Sequence, residues 1–181
     1  MRRTSRVVGT LCASTLWRLR PYAVHLHRSA PIPLSTEEIT TGVAELEGLR
    51  GLIRRFPYWL RGRALLAAQS LAANDIATAY AEAQALLALA PKTSHYHATA
   101  LFELGRCFLR RGDGTSALAF LDQALELMRN NPRVQEERSA ALVLLGERAR
   151  ARETLMTISP QELSAEGKAA LRWLSGEHAG S

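Results

Sequence analysis

Cysteine is scarce in this 181-residue chain: Cys12 and Cys107 are the only two, too few and too far apart for a disulfide framework. Aromatic residues make up 6% and alternating β-branched runs are missing, so nothing favours a strand-rich core. No run approaches the roughly 18 consecutive apolar residues that would span a membrane. Walker-type, G-x-G-x-x-G and G-x-S-x-G motifs do not occur, which leaves phosphate cradling and a nucleophile elbow without support. His25-Leu26-His27 and His95-Tyr96-His97 each set two imidazoles on nearly opposite sides of a helix, with no carboxylate or thiol at metal-ligand spacing. Cys107 lies twelve and ten residues from His95 and His97, roughly 15–18 Å along a helix and beyond proton transfer. The chain therefore reads as non-enzymatic, with no catalytic residue, metal, cofactor or small-molecule substrate assigned. Lysine is reduced to Lys92 and Lys168 against 21 arginines, and this bias, with abundant Ala and Leu, suggests a GC-rich, bacterial genome.

Acid is missing from residues 1–34, which carry Arg2, Arg3, Arg6, Arg18, Arg20 and Arg28. That segment accounts for the whole formal charge of +6, because 17 basic and 17 acidic side chains follow from Ser35 onward. The isoelectric point near 10.0 belongs to an appendage, and a nucleic-acid role for the whole protein loses its electrostatic basis. With Pro21, Pro31 and Pro33, residues 1–34 read as a basic N-terminal arm or targeting segment. Its Arg2, Arg3, Arg6, Arg18 and Arg20 are the candidates for contact with an anionic membrane surface or, as the alternative, with nucleic acid. Thr10, Ser14 and Thr15 dilute the apolar stretch 7–17 as a signal-peptide core, and Leu11 precedes Cys12 where lipid attachment requires a small residue. A cytoplasmic protein, peripheral at a membrane, is the expectation; secretion or organelle targeting through residues 1–30 are the alternatives.

The remainder is patterned as helices, and its 47% hydrophobic content suffices for one continuous core. Ser35 with Glu38 three residues later forms a capping box, followed by a stripe of Val43, Leu46, Leu49, Ile53 and Phe56 that ends at Pro57. Residues 59–72 and 76–90 then make a helix pair around Asn74-Asp75. A second pair, 94–111 and 115–129, turns at Gly112-Asp113-Gly114, and a shorter third, 133–145 and 147–158, turns at Gly146. Ser159-Pro160-Gln161-Glu162 predicts the start of a last helix. The domain expected from this is 35–175, with residues 176–181 as a disordered tail.

Gly112 and Gly146 are 34 residues apart, and Ala117, Leu121 and Ala124 after the first find echoes in Ala151 and Leu155 after the second. A fixed period of this size marks stacked helix pairs, each unable to bury its apolar face alone. Residues 98–129, with Leu101, Leu104-Gly105, Phe108, Gly112-Asp113, Ala117, Leu121 and Ala124-Leu125, resemble a tetratricopeptide repeat. The flanking units resemble it less well, since Arg63, Ser70 and Ala83 stand where large apolar residues are usual. The resemblance implies an all-α, antiparallel helix-pair solenoid forming a right-handed superhelix, and a protein-interaction module or assembly scaffold. It further implies a concave groove lined by the first arms, which would hold a partner peptide or helix. By position, the groove residues are Thr99, Phe102, Arg106, Leu109 and Arg110 in the well-matched unit. Arg61 and Leu71, with Ala64 and Ala68, come from the preceding unit, and Arg133 and Glu136, with Ala140 and Val143, from the following one. Glu136-Glu137-Arg138 and the run 148–152 read as solvated helix faces.

Overall fold

The computed structural model describes residues 46–176, and among them every regular element is an α-helix. In chain order these are α1 (Leu46–Arg55), α2 (Leu60–Ala72), α3 (Ile76–Leu89), α4 (His95–Arg110), α5 (Gly114–Leu127), α6 (Pro132–Leu144), α7 (Arg148–Met156) and α8 (Ala165–Leu174). The arm with Arg2, Arg3, Arg6, Arg18 and Arg20, the expected helix start at Ser35, Cys12, and the pair His25 and His27 lie outside the described residues, as do residues 177–181. None of the eight helices is long and apolar enough to cross a membrane.

Each first arm ends at a residue with left-handed backbone: Asn74 (φ 62), Gly112 (φ 75) and Gly146 (φ 79). Only glycine, or a residue such as Asn that bonds its own backbone, adopts that conformation at low cost, so the chain can reverse there within two residues. In two of the three turns the next residue caps the return arm. The Asp75 carboxylate accepts from the Thr78 N–H at 3.1 Å, and Asp113 from the Ser116 N–H at 3.0 Å. The Thr78 and Ser116 side chains first, and these N–H bonds second, hold both carboxyls below their ordinary value. Glu147, one methylene longer, makes no such bond, and α7 is the shortest of the eight at nine residues.

The pairs α2/α3, α4/α5 and α6/α7 stack in sequence, with α1 before them and α8 after. Close approach within the middle pair depends on Gly105, where a Cβ would come 2.7 Å from the Leu121 Cγ. Leu101, Phe102, Leu121 and Ala124 pack with Val134 and Ala141 of α6, which joins the second unit to the third. Toward the first unit, Leu104 meets Ala67 and Ala83, while Cys107 meets Leu71 and Ala79. Each fully buried Leu contributes roughly 1.5–3 kcal/mol. The Phe108 and Phe120 rings stack with centroids 5.4 Å apart. In the unit that departs most from the repeat pattern, Ser70 and Ala83 are fully buried, and Arg63 is paired with Glu82 instead of filling core volume.

Successive first arms touch one another, α2 with α4 and α4 with α6, whereas α3, α5 and α7 make no contact of comparable extent among themselves. The stack therefore curves toward its first arms.

One helix start differs from expectation. Residues 159–163 form only a turn, with Glu162 and Leu163 N–H groups donating to the Ser159 carbonyl, and α8 begins after Ser164. Leu163 is drawn into a buried cluster with Leu155 and Ile158, which bends the chain away from a continuous helix. The Ser164 hydroxyl then caps Gly167 N–H at 2.9 Å, and the Ser164 N–H donates to Glu136 Oε1 at 2.6 Å. A carboxylate from α6 thus does what a local Glu does in a capping box.

Candidate interaction groove

The concave side is centred on α4, where Thr99, Glu103, Arg106 and Arg110 fall on one face by helical periodicity. Ser94 starts that helix by accepting the His97 N–H at 3.2 Å, and Gly112 stops it, so the register of this face is fixed from both ends. Thr99 is half-buried, its hydroxyl donating to the His95 carbonyl at 3.0 Å. Leu109 is half-buried and Arg110 exposed. On the neighbouring first arms Arg61 and Arg133 are exposed, at the positions equivalent to Thr99.

Arg106 is neither free nor simply solvated. It pairs with Glu103 at 3.0 Å on its own helix and with Glu137 of α6 at 3.1 Å, and its guanidinium lies 5.5 Å from the centroid of the Phe102 ring. Glu103 is 4% exposed, and burial pushes its carboxyl above the ordinary value, with Arg106 acting in the opposite direction. An ion pair of this kind is better evidence for fixed geometry than for stability, because desolvation offsets much of the Coulomb gain. The Glu136-Glu137-Arg138 run is correspondingly engaged, not solvated. Glu136 caps α8, Glu137 holds Arg106, and Arg138 pairs with Asp122 at 2.6 Å and donates to Thr154 at 3.0 Å.

Two of the residues expected to line the groove are instead core. Leu71 is 1% exposed because Ala79 of α3 and Cys107 of α4 close over it. Phe102 is 9% exposed, turned onto Val134 and Ala141. Glu136 keeps its place beside the groove, but one of its oxygens is committed to α8. Arg61, Thr99, Arg106, Leu109, Arg110 and Arg133 remain at least partly accessible.

Glu103 escapes sequence reasoning. Its offset of three from Arg106 is the ordinary signature of a solvated helix pair, whereas the folded chain buries it with Glu137 and Arg133 of α6 among the charges acting on it. Cys107 is fully buried, and desolvation first, then the nearby Glu103 carboxylate, push its thiol up to about 11. Such a thiol is a packing group, not a nucleophile. Among the described residues no group of three or more His, Cys, Asp and Glu could hold a metal ion.

Comparison with known families assigns this architecture. The family model described as tetratricopeptide repeat matches residues 70–138 and 109–174, which together cover more than half of the chain. No curated protein matches it.

Proposed function

Because the chain belongs to the tetratricopeptide repeat family, whose repeats generally mediate protein–protein interaction, we propose that it is a non-catalytic interaction module or assembly scaffold that holds a partner peptide or helix along its concave first-arm face. One observation carries this reading. Arg110 on α4 and Arg133 on α6 are exposed on adjacent first arms and make no ion pair among the described residues. Thr99, level with Arg133 along the helices, and Leu109 and Val143, toward the Arg110 end, are half-buried. A partner helix can set apolar side chains on such a surface, and its carboxylates can accept paired hydrogen bonds from guanidinium groups. Arg106, already held by Glu103 and Glu137, supports the floor and aligns α4 with α6. Residues 35–175 would form the working body, and residues 176–181 a tail.

A crosslinking pull-down comparing wild type with Arg110→Glu/Arg133→Glu tests the proposal. Loss of the crosslinked partner with an unchanged far-UV circular dichroism spectrum is expected, and full capture by the double variant refutes the groove. The segregation of charge into residues 1–34 favours a second, separate activity, peripheral attachment to an anionic membrane through Arg2, Arg3, Arg6, Arg18 and Arg20. Removing residues 1–34 should abolish cosedimentation with anionic vesicles while leaving partner capture intact.

A further inference from the structure

A second surface lies at the far end of the stack. Helix α8 stands in the place of a fourth first arm, since Gly176 (φ 76) closes it as Gly112 and Gly146 close α4 and α6. Leu171, five residues before Gly176, packs toward α7, just as Cys107, five before Gly112, packs toward α3. In α4 the positions eleven, seven and four before the turn are Leu101, Gly105 and Phe108, and α5 covers all three through Ala117, Leu121 and Phe120. Their counterparts in α8 are Ala165, Ala169 and Arg172, all exposed. Among the described residues no return arm packs on them.

Alongside that uncovered face is a pocket of about 520 Å³ between the end of α7, residues 158–163 and α8. Its apolar lining comes from Leu155, Met156, Ile158, Pro160, Leu163 and Leu171, and Met156 is 62% exposed. Lys168 and Arg172 complete the lining, and neither side chain makes an ion pair among the described residues. Small residues at positions 165 and 169 allow a helix axis to approach closely, as Gly105 does for α5. The two cations select the sign of its charge.

We propose that α8 and this pocket receive, in trans, one amphipathic helix of a partner protein whose apolar ridge is flanked by carboxylates. The helix takes the place of a return arm, its ridge entering the pocket and its acids meeting Lys168 and Arg172. The chain's own basic arm is a poor occupant, because residues 1–34 bring six arginines and no acid to two cations. This surface is separate from the groove, so either can fail without the other.

The test is fluorescence anisotropy with the full chain and a labelled synthetic peptide of 14 residues, the length of α5, carrying Leu at helical i, i+3, i+4 and i+7 positions and Glu beside them. Saturable binding is expected. Lys168→Glu/Arg172→Glu should weaken it about 10-fold or more, and Met156→Asp, at a side chain 62% exposed, should weaken it as well. Arg110→Glu/Arg133→Glu should leave it unchanged, and a peptide with Lys in place of Glu should not bind. Absence of saturable binding, indifference to the Lys168 and Arg172 changes, or equal binding of the Lys peptide overturns the proposal. So does a concentration-dependent dimer of the chain alone that Lys168→Glu/Arg172→Glu abolishes, because the occupant is then a second copy.

Discussion

Replacing Gly105 by Ala adds one methyl group at the closest point between α4 and α5. That carbon would meet Leu121 Cγ at 2.7 Å and Cδ2 at 2.9 Å, with the Ala117 carbonyl oxygen at 3.4 Å. Carbon atoms prefer roughly 3.5–4.0 Å, so Leu121 must retreat by about 1 Å. It has little room, being fully buried among Leu101, Phe102, Ala117 and Ala124. Overpacking of this sort costs about 1–3 kcal/mol, and the better helix propensity of Ala returns about 0.5–1 kcal/mol. At the middle of those ranges the net is a loss of about 1 kcal/mol, equivalent to a fall in Tm of about 2–4 °C for a chain of this size. Gly51→Ala is the matched control. It too lies within a helix, but nothing stands within 4 Å of its added Cβ. Only the propensity gain applies there, so Gly51→Ala should stabilise by about 0.5–1 kcal/mol. Urea and thermal unfolding followed by circular dichroism measure both. A Gly105→Ala variant as stable as wild type, or two variants that shift in the same direction, would refute the packing argument.

Glu147→Asp shortens the side chain at the start of α7 to the length that caps α3 and α5, and should raise stability by about 0.5–1 kcal/mol in the same unfolding assay. The Glu103 carboxyl gives a pH signature. Its folded value lies above the ordinary 4.5, so in that window the folded chain binds more protons than the unfolded chain, and stability falls as pH rises through it. Glu103→Gln lacks this titration, and the stability of wild type minus that of the variant should therefore decrease from pH 4.5 upward in urea melts taken across the pH range. A difference independent of pH would place Glu103 in solvent. The Asp75 and Asp113 caps act in a separate window: their folded values lie below 3.8, so their stabilisation is lost as pH falls beneath that value.

The inter-arm turns are legible in the sequence because left-handed backbone admits few residue types, and Asn74, Gly112 and Gly146 are among them. The small side chains at Gly105 and Ala117 are legible for the same kind of reason, since the close contact they permit excludes larger ones. The start of α8 is not. Ser159 and Ser164 both carry an N-cap signal, and the choice between them depends on the burial of Leu163 and on a carboxylate 28 residues away. Leu71 and Leu109 share one offset from their turns, yet only Leu71 is fully buried, closed over by Ala79 of α3 and Cys107 of α4. Local spacing holds no record of what stands opposite. Glu103 belongs with these cases: its burial is set by the stacking of neighbouring units, not by its spacing from Arg106.

The links from Arg106 to Glu137 and from Glu136 to the Ser164 N–H both run between neighbouring units, close to the first-arm side. Set on the inside of a bend, they act as tie-rods: flattening the stack must stretch them, and tightening it slackens them. One link is an ion pair and the other a backbone hydrogen bond to a carboxylate, both partly buried, so added salt should weaken them less than it weakens pairs on the open surface, and the bend should persist across ionic strengths.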